Sequence, residues 1–99
     1  MYTKNNVAMK TVEIENSHTF LLKYFITERP FETDDSLNNV YGIEIEKYLL
    51  TEEHEELVES ECINDITLNY EEIKRLQDKL STYLVTPITL CAIMDDYIE

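Results

Sequence analysis

The chain predicts a two-layer α+β domain: an antiparallel sheet of about four strands followed by two C-terminal helices packed on one of its faces. Three observations carry this. Apolar and polar residues alternate with period two in four stretches before residue 64. The pattern then changes to a helical stripe in two stretches separated by a proline. The connections between the strand-like stretches are too short for parallel crossovers, so the strands follow one another as a meander. With 99 residues the chain fits one domain, and a single Gly with two Pro leaves little sequence for irregular segments.

Residues 1–9 are polar and patternless and read as a flexible leader, with Met9 as a candidate start. The domain then spans 10–99. Residues 10–15 alternate Val12 and Ile14 with Thr11, Glu13 and Glu15, and Asn16-Ser17-His18 reads as a turn. Residues 19–28 form a longer strand. Phe20, Leu22, Tyr24 and Ile26 share one face, and Leu21 and Phe25 sit among polar residues on the other. Arg29-Pro30 is expected to end it, because proline cannot donate to a ladder. Residues 31–39, with Asp34-Asp35-Ser36 and Asn38-Asn39, then read as an extended loop.

The next strand, 40–50, places Tyr41, Ile43, Ile45 and Leu49 inward and Gly42, Glu44, Glu46 and Tyr48 outward. Residues 51–54 turn the chain. In 55–63, Val58, Ser60 and Cys62 are expected inward and Glu59 and Glu61 outward. Asn69 is an N-cap, with Glu71 and Glu72 complementing the dipole of the first helix. Ile73, Leu76, Leu80, Tyr83 and Leu84 form its stripe. Thr86 caps the second helix and Pro87 opens it, where a missing N–H costs nothing. Its stripe is Leu90, Ile93, Met94, Tyr97 and Ile98.

A net charge of −13 disfavours direct binding to nucleic acid or to an anionic membrane, since both rest on lysine and arginine neutralising phosphates. No apolar run approaches the roughly 20 residues of a membrane span, and residues 1–6 lack the apolar core of a signal peptide. The expected location is cytoplasmic. Cys62 and Cys91 then read as buried, reduced thiols. His18 and His54 fall in turns, apart from any serine or cysteine that could serve as a nucleophile. Asp95 and Asp96 are neighbours on a helix and point apart. No phosphate loop, Cys-x-x-Cys pair or zinc spacing is present. The chain is therefore expected to be no enzyme and to carry no cofactor or metal.

What it does have is charge in one place. Between Glu44 and Glu72 lie eleven carboxylates against one base, Lys47, which is ten of the thirteen net negative charges. If strands 40–50 and 55–63 pair around Glu52-Glu53, Glu44 faces Glu61 and Glu46 faces Glu59. Like charges directly opposite cost a sheet roughly 0.2–1 kcal/mol. The bland reading is a solvated outer face. The sharper one is a recognition surface for a basic protein, built from Glu44, Glu46, Tyr48, Glu59 and Glu61. Alternate strand residues stand roughly 6.8 Å apart, close to phosphate spacing, so an inhibitor from a mobile element that mimics nucleic acid is the alternative. Of seven tyrosines, Tyr24, Tyr41, Tyr83 and Tyr97 fit the core, whereas Tyr48 points with the glutamates as an interface anchor. A symmetric homodimer is expected if the sheet leaves an edge open or Leu21 and Phe25 exposed.

Three stretches resemble a small family of short proteins of unknown function from spore-forming Firmicutes. They are Tyr41-Gly42-Ile43-Glu44-Ile45, then Ile63-Asn64-Asp65-Ile66-Thr67, then Val85-Thr86-Pro87-Ile88-Thr89-Leu90 running to Asp95-Asp96-Tyr97. The resemblance implies a bacterial, cytoplasmic protein and no particular activity, cofactor or catalytic residue. The same residues have structural uses. Gly42 marks a bulge or a close backbone approach, Asp65 or Thr67 helps turn the chain into the first helix, and Thr86-Pro87 sets the corner between the helices.

Overall fold

In the computed structural model, residues 2–14, 18–32 and 37–98 are described; the side chains of Asn6, Ile14, Phe31, Glu32, Leu37 and residues 95–98 are outside that description. The strands are β1 (Thr3–Ile14), β2 (His18–Glu32), β3 (Leu37–Leu50) and β4 (Glu55–Thr67), followed by helices α1 (Tyr70–Thr82) and α2 (Pro87–Ile98). The sheet is an antiparallel meander of order β1-β2-β3-β4. Both helices pack on one of its faces, which confirms the two-layer α+β architecture. Among the described residues no helix is long and apolar enough to cross a membrane.

The core lies between the layers. Leu22, Tyr24 and Ile26 of β2 and Ile43 and Ile45 of β3 meet Ile73, Leu76 and Leu80 of α1, then Val85, and Leu90 and Met94 of α2. Period-two alternation in the strands and helical spacing in the helices bring these residues to one interface. Two buried polar side chains tie the layers together. Gln77 Nε2 donates to the Tyr24 carbonyl at 2.8 Å, and the Tyr24 hydroxyl donates to the Val85 carbonyl at 2.9 Å. Burial pushes the Tyr24 hydroxyl up to about 12.

Several expectations change. Residues 3–9, expected as a leader, belong to β1, and the ladder runs Thr3↔Glu28 to Asn5↔Ile26, then Ala8↔Tyr24 onward, with a bulge between. The polar start of β1 is carried by the rest of the strand, whose Ala8 and Val12 pack against the core. Arg29-Pro30 does not end β2, which pairs with β3 as far as Glu32↔Leu37. Among the described residues β1 begins opposite Glu28, so at Pro30 the ladder partner of β2 is on the β3 side, and a missing N–H is tolerated on the other. The expected loop over residues 31–39 thereby shortens. Its remainder, 33–36, and the turn residues Asn16 and Ser17 lie outside the described residues.

Helix α1 stops at Thr82, two residues before its apolar stripe does. Leu84 adopts φ 54°. The Val85 amide donates to Leu80 O and the Leu84 amide to Ser81 O, the paired bonds of a Schellman stop. Glycine usually fills the left-handed position, so a leucine there gave no warning. The consequence is that Tyr83 is 73 % exposed rather than in the core. In α2, Leu90 and Met94 are buried and Ile93 is exposed, while the side chains of Asp95, Asp96, Tyr97 and Ile98 lie outside the described residues.

Candidate functional site

The register between β3 and β4 decides where the glutamates go. Near the turn, Tyr48↔Leu57, Leu49↔Glu56 and Leu50↔Glu55 hold the expected pairing. A bulge then inserts Val58, and the ladder continues as Lys47↔Glu59, Glu46↔Ser60, Ile45↔Glu61 and Glu44↔Cys62. One extra residue moves every later side chain to the other face. The pairs Glu44–Glu61 and Glu46–Glu59 are therefore not formed. Ser60 and Cys62, expected inward, share the outer face with Glu44 and Glu46. Glu59 and Glu61 turn to the side on which the helices pack. The bulge removes the like-charge contacts that the other register would have imposed.

Glu59 stands beside Lys47 at 3.8 Å, too far for a hydrogen bond, and its buried Oε1 has no hydrogen-bond partner among the described residues. Lys47 also lies over the Phe20 ring, 4.4 Å from its centroid. Glu61 accepts from the Cys62 amide at 3.2 Å.

Glu44, Glu46 and Tyr48 do come together on the outer face, around a cation from the segment expected to be a leader. Lys4 Nζ lies 2.8 Å from Glu44 Oε2 and 3.1 Å from Glu46 Oε2, and 4.7 Å from the centroid of the Phe25 ring. Tyr48 donates its hydroxyl to Glu46 at 2.7 Å, and Lys23 covers the Tyr48 ring at 4.5 Å. Burial raises the Glu46 pKa, but the bonds from Tyr48 and Lys4 outweigh it and hold the carboxyl below its ordinary value. The same contacts push Lys4 up, chiefly through Glu44. Two lysines and two aromatic rings thus occupy a surface that composition alone describes as anionic.

A second cluster lies beside it on the same face. Arg29 grips Asp65 with two bonds, at 3.0 and 2.9 Å. The Tyr2 hydroxyl donates to Asp65 Oδ1 at 2.9 Å and accepts from Arg29 Nε at 3.0 Å. The Arg29 guanidinium holds Asp65 below the usual carboxylate range. Asp65 reaches this position from a backbone φ of 59°, inside a second irregularity of β4. Gly42 makes that irregularity fit. A Cβ on it would stand 2.3 Å from the Ile63 carbonyl oxygen and 2.8 Å from Asn64 Cα, so the close backbone approach expected there is real. Thr67, not Asp65, helps start α1, accepting from the Asn69 amide, and Asn69 caps the helix by accepting from Glu72.

Cys62 is half-buried on the outer face, its thiol pushed up to about 11 by desolvation and by Glu44, so it stays protonated. Cys91 is exposed on α2, against expectation, and both thiols are free. His54 closes the β3–β4 turn with Thr51, whose hydroxyl accepts from the His54 amide. Among the described residues no group of three or more His, Cys, Asp or Glu could hold a metal.

The end of the hairpin is different. Glu52, Glu53, Glu55 and Glu56 are exposed and make no ion pair among the described residues. Beside them Leu57 is 51 % exposed and Val58, the bulged residue, 43 %. Uncompensated charge and exposed apolar surface coincide here.

Residues 3–99 match the model of a family described as a family of unknown function, DUF6514, and the chain belongs to that family. No curated protein and no solved structure matches it.

Proposed function

We propose that this chain is a small non-enzymatic interaction or regulatory protein that binds a basic protein surface through the end of the β3–β4 hairpin. The observation that carries this reading is the juxtaposition of Glu52, Glu53, Glu55 and Glu56, which make no ion pair among the described residues, and the exposed Leu57 and Val58. Rim carboxylates steer a cationic partner and quicken its arrival. Two apolar side chains at the bulge give it something to bury. The central glutamates of the original set, Glu44 and Glu46, are engaged by Lys4, which moves the expected contact from the middle of the hairpin to its end. Two free thiols suit a reducing compartment, which supports the cytoplasm as its place of action. Glu44 and Glu46 face one side of the sheet and Glu59 and Glu61 the other, which favours this reading over a nucleic-acid mimic that would need all four in one row.

Affinity capture from extract of the native cell tests the proposal, comparing the chain with a variant carrying Gln at 52, 53, 55 and 56. A basic protein should be retained at about 0.05 M salt and released at about 0.5 M. The variant should lose it. Retention of the same proteins by both chains at both salt concentrations would sink the proposal.

A further inference from the structure

The outer face of the sheet holds its own first residues as a bound peptide is held. Tyr2 and Lys4 lie two apart on one extended segment and point to the same side. The Tyr2 hydroxyl enters the Arg29–Asp65 pair, and the Arg29 guanidinium lies 5.7 Å from the centre of the Tyr2 ring. Lys4 runs over Phe25 and ends between Glu44 and Glu46. Residues 3–5 pair with β2 as an edge strand, and the bulge before Ala8 separates that short ladder from the rest of β1. The side chains of Glu44 and Glu46 are 18 % and 12 % exposed with Lys4 in place. Without a cation, two adjacent carboxylates in so little water would repel, so the place demands a positive charge. An extended segment adding to a sheet edge, with alternate side chains read by pockets, is a known mode of peptide recognition.

We propose that this face is a docking groove for an extended segment of a partner protein carrying an aromatic residue and, two residues later, a lysine or arginine, and that Tyr2 and Lys4 fill it in cis. The groove is formed by Phe25, Arg29, Glu44, Glu46 and Asp65. It is separate from the hairpin end, and neither proposal depends on the other. The segment of the chain itself then competes with the partner, and displacing it opens both the edge of β2 and the carboxylate pair.

The test uses the full-length chain with Tyr2→Ala and Lys4→Ala, its fold checked by circular dichroism, and a fluorescein-labelled peptide with the sequence of residues 1–9. Fluorescence anisotropy should show the doubly substituted chain binding the peptide at least about tenfold more tightly than the unsubstituted chain, the worth of one good charged contact. Adding Glu44→Gln and Glu46→Gln should reverse that gain, and a peptide with Lys4→Glu should not bind. Substituting the hairpin-end glutamates by Gln should leave peptide binding unchanged, so this proposal and the previous one fail separately. Equal affinity for both chains, or binding by neither, overturns the proposal. So does a dimer of the unsubstituted chain that dissociates on Tyr2→Ala and Lys4→Ala, because the segment would then belong to a second copy.

Discussion

In the middle of the β3–β4 hairpin, Glu44 and Glu46 are largely buried and share Lys4, with Tyr48 completing the set. At the end of the same hairpin, Glu52, Glu53, Glu55 and Glu56 are exposed and unpaired among the described residues. The residue type is the same and the strands are continuous, yet one group is part of the fold and the other is free for contact outside it. Burial makes the difference. A carboxylate that loses water needs an internal donor, whereas one that keeps its water does not. A high density of glutamate in sequence therefore marks no surface until its solvent exposure is known.

The sharpest way to break the first group is to disturb the strand approach that frames it. Gly42→Ala places a methyl against the Ile63 carbonyl and Asn64 Cα, both backbone and both closer than van der Waals contact allows. Either β4 shifts or the second bulge is lost, at a cost of about 3 kcal/mol. The urea midpoint should fall accordingly, and the Arg29–Asp65 pair should loosen with it. A cost under about 1 kcal/mol would mean that the two strands are not held this close.

Next in size is removal of the shared cation. Lys4→Met leaves Glu44 and Glu46 side by side with less water than they need. Because the Lys4 side chain is 42 % exposed, solvent screening limits the loss to about 1 kcal/mol at neutral pH. The pH dependence carries a sign. The Glu46 pKa is depressed on folding, so its contribution is fully present above the unfolded value near 4.5 and is lost as pH falls through the lowered folded value. Asp65, held down by Arg29, acts in the same direction in the acid range. Urea midpoints measured from pH 7 down to pH 3 should therefore fall less steeply for Glu46→Gln than for the unsubstituted chain. Parallel profiles would show that Glu46 ionises alike in both states.

Most of the fold was legible because the core obeys strict periods. Leu22, Tyr24, Ile26, Ile43 and Ile45 alternate, Ile73, Leu76 and Leu80 recur at helical spacing, Asn69 caps α1, and Pro87 opens α2. What stayed hidden were departures from those periods. The bulge at Val58 is announced only by two adjacent apolar residues, Leu57 and Val58, interrupting the alternation, and this one insertion reversed the faces of Glu59, Glu61, Ser60 and Cys62. The stop at Leu84 uses a left-handed leucine in place of glycine. Lys4 and Tyr2 were missed for a further reason. Tyr2 precedes β1 and residues 3–6 are polar on both faces, and the partners of Tyr2 and Lys4 lie 63 and about 40 residues away, which no local pattern encodes.

The smallest expected effect is on the second group. Replacing Glu52, Glu53, Glu55 and Glu56 by Gln removes four charges that no cation among the described residues offsets, in a chain of net charge −13. Self-repulsion falls and no hydrogen bond of the core changes. The urea midpoint should stay level or rise by no more than about 0.5 kcal/mol in stability, with the gain shrinking as salt screens the charges. Binding of a basic partner should nevertheless disappear. That separation, stability kept and interaction lost, is what distinguishes a contact surface from a structural cluster. A loss of more than about 1 kcal/mol would put the hairpin end with Glu44 and Glu46, as part of what holds the sheet together.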